Sequence, residues 1–231
     1  MNFVVDAIRF IFDPGNEVLG KLLAHMGYTA LAVGIAAVIA LPLGVWLGHT
    51  ARRGGVVAVL GALRALPSLG LLTWLTLAMS LGVRLPIVPA TIVLALLAIP
   101  PMLAATVSGI QSVPREVVDG ARAVGYSPRQ VARFVELPLA APAIVGGVRS
   151  AVVQVVATVT VVAYIGLSGL GRFLIDGLAV RDYPQMLAGA LVIATLALVL
   201  DVALAAVQRP FVRKEVSRCL ASSPSAPSWP R

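Results

Sequence analysis

Residues 87–110 read IVPATIVLALLAIPPMLAATVSGI, a run from Ile87 to Ile110 with no charged residue. A helix rises 1.5 Å per residue, so a run of this length spans a hydrocarbon core of about 30 Å. Four further stretches are long and apolar enough to do the same: Tyr28–Leu47, Val56–Leu81, Pro142–Ile165 and Pro184–Val207. They are continuous and not alternating, which excludes a β-barrel. A lipid-exposed segment must satisfy its own backbone, so each run is expected to be a helix. The expected fold class is an all-α integral membrane protein with about five transmembrane helices. Pro142 and Pro184 stand at span starts, where a missing N–H does no harm. Pro42, Pro67, Pro100 and Pro101 fall inside spans and are expected to kink them. Gly44 and Gly48 have the spacing of a close helix–helix contact.

Composition points the same way. The 231 residues are 59% apolar and 12% charged, with a mean hydropathy of +0.95. A soluble domain carries about twice that charge, and a disordered chain is more polar still. The net charge of +8 would point to nucleic acid in a soluble protein. Here its distribution is an orientation signal. With the N-terminus outside, segments 48–55, 111–141 and 208–231 lie in the cytoplasm, and Arg149 begins the fourth span on that side. The outer segments then sum to zero and the whole net charge falls on the inner face. The expected topology is N-terminus outside and C-terminus cytoplasmic, multi-pass in a prokaryotic-type plasma membrane, with the lipid bilayer as solvent and no nucleic-acid partner.

The start, MNFVVDAIRF, lacks the basic n-region of a secretory signal. Residues 1–21 are expected to form an extracytoplasmic segment, with Phe3, Ala7, Phe10 and Ile11 on one side of a short interfacial helix. Residues 22–210 are the transmembrane unit, with its cytoplasmic loop at 111–141. Residues 211–231 end in SSPSAPSWPR and read as a disordered cytoplasmic tail. Cys219 stands alone, which excludes an internal disulfide and a cysteine-rich metal site. No metal ligands and no catalytic residues are expected. Gly15 to Leu22, GNEVLGKL, has the spacing of a phosphate loop, but Leu22 stands where a Ser or Thr must hold Mg²⁺ and no strand precedes it. An ATP site within the chain is therefore not expected.

The long cytoplasmic loop carries most of the information: VPREVVDGARAVGYSPRQVARFVELPLAAP, Val113 to Pro142. Gly125 suits a helix end because it tolerates positive φ. Ser127-Pro128 is an N-cap followed by proline at the first helical position. Two short helices near 115–124 and 128–136 are expected. The second places Val131, Phe134 and Val135 on one side, with Arg129 and Arg133 opposite.

This loop resembles the EAA coupling loop of permease subunits of binding-protein-dependent ABC importers. Asp119-Gly120-Ala121, Gly125, Val135 and Leu137-Pro138 stand at its spacing. LRALPSLGLL (Leu63–Leu72), PPMLAATVSGI (Pro100–Ile110), ELPLAAPAIVGGVRSA (Glu136–Ala151), YIGLSGLGRFL (Tyr164–Leu174) and MLAGALVIATLALVLD (Met186–Asp201) resemble the branch importing quaternary amines: glycine betaine, choline, carnitine and proline betaine. The resemblance implies a type I ABC importer permease (MetI-like) fold. It implies a second permease subunit, identical or not, ABC ATPase subunits and an extracytoplasmic substrate-binding protein. It also implies that ATP acts only through the ATPase, with no cofactor bound to this chain. Asp119, Gly120, Ala121, Arg122, Gly125, Arg129, Arg133, Leu137 and Pro138 would couple to the ATPase, Gly125 making the turn and Leu137-Pro138 ending the second helix. The chain departs from the pattern at Asp119-Gly120, at Ala104-Ala105 in place of Arg-Asn, and at Arg64 in place of Gln.

Arg64 and Asp201 are the ionisable residues within spans, and such residues are functional candidates by default. Arg64 lies about 12 Å and Asp201 about 9 Å from the cytoplasmic ends of their spans, at 1.5 Å per residue. Arg64 is expected either to pair with Asp201 or to snorkel to the inner surface. Tyr28, Trp46, Trp74 and Tyr164 are dispersed and read as interface-belt residues, not as the aromatic cage a quaternary ammonium takes. The turn GLSGLG, Gly166–Gly171, reads as a flexible outer-face turn, and by the resemblance as part of an outer gate or binding-protein platform. His25 and His49 show no partner spacing. Alternatives are a permease for another small solute such as methionine or another amino acid, an ion-coupled secondary transporter, or a membrane enzyme. Inverted repeats for the first of these other classes, and clustered catalytic groups for the second, are not seen.

Overall fold

A computed structural model describes residues 3–50, 68–80 and 82–221, with only the backbone course for 211–221. The described residues form α1 (Phe3–Phe12), α2 (Val18–Thr50), α3 (Ser68–Ala78), α4 (Ile87–Gln111), α5 (Arg115–Ala123), α6 (Pro128–Val131), α7 (Leu137–Val159), α8 (Gly171–Val180) and α9 (Tyr183–Ala221). A 3₁₀ turn at Pro14–Asn16 precedes α2, and another at Thr160–Ile165 follows α7. Among the described residues, four helical runs are long and apolar enough to cross a membrane: 14–50, 87–111, 128–165 and 183–210. The shorter apolar α3 lies within the expected second span, whose earlier part, with Arg64, falls outside the described residues.

The core is built by α2, α4 and α7 around α4, most of which is buried. Hydrocarbon gives no hydrophobic drive for helices to associate, so close packing must hold them. Ala32, Ala36, Ala40 and Gly44 recur every four residues along α2 and are buried against α4. A Cβ on Gly44 would lie 2.7 Å from Thr106 Cβ, and one on Gly48 would lie 2.8 Å from Ile110 Cβ. The expected close contact at Gly44 and Gly48 is therefore present. Pro42, Pro100 and Pro101 all lie within continuous helices, and Pro67 lies outside the described residues. Threonines satisfy their hydroxyls within their own helices: Thr29 donates to His25 O, Thr76 to Leu72 O and Thr106 to Met102 O. Such back-bonding removes a polar cost without another helix.

Two boundaries differ from the sequence expectation, at the tail and at the fourth span. The segment 1–21 contains the short helix α1. Its apolar stripe packs on α8 and α9: Ala7 is fully buried, Phe10 meets Phe173 edge-on at 5.3 Å and Phe3 meets Tyr183 at 6.4 Å. The tail assigned to 211–231 is helical as far as Ala221, because VRKEVSRCLA after Pro210 contains no helix breaker and α9 simply continues. The fourth span does not begin at Pro142. That proline lies inside α7, and the helical run reaches back to Pro128.

Candidate functional site: the exposed hairpin and its roots

The hairpin is local chemistry first. Helix α5 opens with Pro114 at its N-cap and Glu116 in its first turn, where a carboxylate faces the positive end of the helix dipole. It closes in a Schellman turn. Gly125, at φ +93°, donates to Arg122 O, and the Tyr126 N–H donates to Ala121 O at 3.1 Å. The chain then enters α6 through Ser127, whose N–H donates to Gln130 Oε1 at 2.8 Å. Pro128 takes the first helical position.

Nothing in α5 is buried. Asp119, Gly120, Arg122, Gly125, Arg129 and Arg133 are all exposed, and Ala121 is half-buried. Arg122 and Asp119 sit 3.8 Å apart with both side chains mostly in solvent, so the pair contributes little. Apolar groups stand beside these cations: Val124 is 77% exposed and Phe134 61% exposed, with Tyr126 and Val117 also exposed. The hairpin thus presents a mixed basic and apolar surface that its own chain leaves uncovered.

The second arm departs from expectation. A π turn at Ala132–Glu136 joins α6 to α7, so the second helix does not end at Leu137-Pro138 but runs on into the span. Pro138 has no N–H to give and its ring crowds the carbonyl four residues back; a widened turn before it absorbs both defects. The same extra residue breaks the apolar stripe. Val131 is fully buried, Val135 is half-buried and Phe134 points outward.

At the root of this arm lies a contact the sequence reading missed. His49 Nδ1, in the last turn of α2, is 2.7 Å from Glu136 Oε2 in the π turn. Glu136 is 6% exposed. Gly48, next to His49, packs on Ile110 at the end of α4, where the first arm begins. Two adjacent residues of α2 therefore touch both roots of the hairpin. Beside them an apolar cavity of about 610 Å³ is walled by Leu41, Val45, Trp46, His49, Pro128 and Leu137. The missing signal was non-local, since 87 residues separate the partners.

Asp201 is corrected in its partner. It is held by Arg149; the expected pairing with Arg64 falls outside the described residues. Arg149 donates from Nε to Asp201 Oδ1 and from Nη2 to Oδ2, both at 2.6 Å, a bidentate fork. Helices α7 and α9 run side by side, and each residue lies within an apolar run long enough to cross a membrane, 128–165 for Arg149 and 183–210 for Asp201. The late start assigned to the fourth span had put Arg149 at the surface. His25, also without an assigned role, is fully buried and bonds through Nε2 to Val156 O at 3.0 Å, tying α2 to α7. Ala105, in the departing Ala104-Ala105 pair, packs on Gly147, where a Cβ would come within 2.5 Å of its own. The small residues of α4 and α7 are thus matched. Trp46, Trp74 and Tyr164 are exposed on separate elements, and the described residues form no aromatic cage from them.

This arrangement can be set beside known proteins. The family model of the binding-protein-dependent transport system inner membrane component matches residues 20–214. The choline transport system permease protein OpuBB of Bacillus subtilis (strain 168) is 30% identical over 203 residues, covering 87% of this chain and 92% of that protein. The osmoprotectant import permease protein OsmW of Salmonella typhimurium (strain LT2) is 34% identical over 201 residues, covering 85% and 93%. The carnitine transport permease protein OpuCD of Listeria monocytogenes is 33% identical over 213 residues, covering 90% and 93%. Among solved structures, a chain of the MetNI methionine ABC transporter in an inward-facing conformation superposes with a TM-score of 0.70 at 22% identity, covering 84% of this chain and 95% of that one. That likeness supports the type I, MetI-like fold. This membrane-spanning helical bundle with an exposed helix–glycine–helix hairpin, matched over residues 20–214, belongs to the family of binding-protein-dependent transport system inner membrane components.

Proposed function

We propose that this chain is the transmembrane permease subunit of an ATP-driven importer of quaternary amine osmoprotectants, the class to which glycine betaine, choline and carnitine belong. The printed functions of its relatives support the solute class: choline, osmoprotectant and carnitine permeases, each matched over most of its length. ATP hydrolysis falls to a separate ATPase, an extracytoplasmic binding protein delivers the solute, and a second permease subunit completes the path. The basic loops put the N-terminus outside and the C-terminus in the cytoplasm.

The observation that carries this reading is the hairpin. It is exposed, basic and partly apolar, and it is rooted on α2 at both arms. A groove in an ATPase would bury Val124, Tyr126 and Phe134 and face Arg122, Arg129 and Arg133. Movement of the docked hairpin would pass to α2 through Glu136 and His49, and directly into α7 through the π turn. Because α6 and α7 form one helical run, the second arm acts as a lever. The bundle would then alternate between inward- and outward-facing states as two ATPases close and open.

A photoreactive amino acid at Tyr126 tests the docking. In membranes holding the assembled transporter it should cross-link to a nucleotide-binding subunit, and ATP with vanadate should change the yield. Adducts with lipid alone would contradict the reading.

A further inference from the structure

Helix α9 is apolar on nearly every side, yet one strip of it is polar. Asp201 and Gln208 are seven residues apart, two helical turns and about 10 Å, so they share a face. Gly146, Arg149, Ser150 and Val153 form the facing strip of α7, and together the two strips line a groove of about 430 Å³. Gln208 Nε2 donates to Pro142 O at 3.0 Å at its cytoplasmic end. Further in, the Arg149–Asp201 fork closes the floor. A third of each of those two side chains is left uncovered by the chain, and Ser150 is exposed beside them.

An ion pair at this depth does not face hydrocarbon, because ionisable groups within spans face the bundle interior or a water-filled cavity. The chain itself does not bury the pair. We propose that this groove is wetted from the cytoplasm and forms the wall of the inner half of the solute path. The proposal rests on the permease reading above and adds where the path runs. Its chemistry suits a small cation or zwitterion. Arg149 and Asp201 neutralise each other, so the wall holds water without presenting a net charge that would trap a quaternary amine or its carboxylate. Conduction requires that a passing solute be bound weakly enough to leave. The Ser150 hydroxyl and Gln208 amide extend the same neutral, hydrogen-bonding surface to the inner face.

The test is accessibility in the assembled transporter, in inside-out vesicles, with Cys219→Ser as background. Ser150→Cys should react with a charged, membrane-impermeant thiol reagent at least tenfold faster than Val199→Cys. Val199 is 57% exposed and lies on the far side of α9, two residues from Asp201. Millimolar glycine betaine with ATP and vanadate should slow the Ser150→Cys reaction and leave Val199→Cys unchanged. Equal rates at the two positions would place the groove against lipid or under a second subunit and would overturn the proposal. ATP-driven release of labelled glycine betaine from the lumen of the same vesicles, loaded with the binding protein, is scored separately. Its failure would count against the solute assignment, while the labelling rates would still decide whether the groove is wet.

Discussion

His49 on α2 and Glu136 in the π turn meet at 2.7 Å, directly beside the contact of Gly48 with Ile110. The C-terminal end of α2 is thereby fixed to both arms of the hairpin at one point. Removing one partner should loosen that joint without unfolding the bundle. His49→Gln and Glu136→Gln are each expected to cut import about tenfold, while ATP hydrolysis by the assembled transporter changes by no more than about twofold. A hydrogen bond to a charged group is worth about 1.5–3 kcal/mol, enough for that effect. The number of ATP molecules hydrolysed per solute imported is the readout, and the double variant should be no worse than the poorer single.

Arg149 and Asp201 stand or fall together. Asp201→Ala and Arg149→Ala each leave one ionised group within a span without its partner. Both should lower the amount of monodisperse protein recovered from membranes, measured by detergent size-exclusion chromatography. The exchange Arg149→Asp with Asp201→Arg should recover part of what the singles lose. Arg64→Ala combined with Asp201→Ala should show no coupling beyond additivity.

Close packing of α2 on α4 predicts a steep size limit. Gly48→Leu drives a side chain into Ile110, and Gly44→Val drives one into Thr106. Overpacking of this kind costs about 1–3 kcal/mol. A lower thermal midpoint of the purified protein is expected for each, and Ile110→Ala should rescue Gly48→Ala in part.

Gly125 is a conformational requirement. Its φ of +93° is disfavoured for a β-branched side chain, at about 1–3 kcal/mol. Gly125→Val should leave the thermal midpoint nearly unchanged, because the hairpin is exposed and buries nothing in α5. It should weaken capture of the ATPase by more than tenfold in a pull-down. Gly125→Asn should be milder, since Asn tolerates the left-handed region.

Much of this was legible along the chain. Uncharged runs such as 87–110 announce spans because length and composition alone decide them. The turn at Gly125 and the start at Ser127-Pro128 are written in residues next to one another. What was not legible is non-local or lacks a residue signature. The π turn at Ala132–Glu136 has no sequence mark beyond the proline that follows it, so the second arm was expected to stop at Leu137-Pro138. Reading Pro142 as a span start displaced Arg149 to the surface, so its fork with Asp201 was not foreseen, and depth alone offered Arg64 as one of two readings. Depth fixes how far a residue is from the interface but not which helix lies beside it. His49 carries no motif and nothing local ties it to Glu136, so only the packing of α2 beside the π turn brings them together.

The central claim is that this bundle moves a quaternary amine because an ATPase moves its hairpin. Uptake of labelled glycine betaine in vesicles containing the permease with its ATPase and binding protein tests it most directly. Accumulation should require ATP, persist when the proton gradient is collapsed, and vanish in Gly125→Val while the bundle stays folded. Accumulation that continues without ATP and disappears with the gradient would contradict the account.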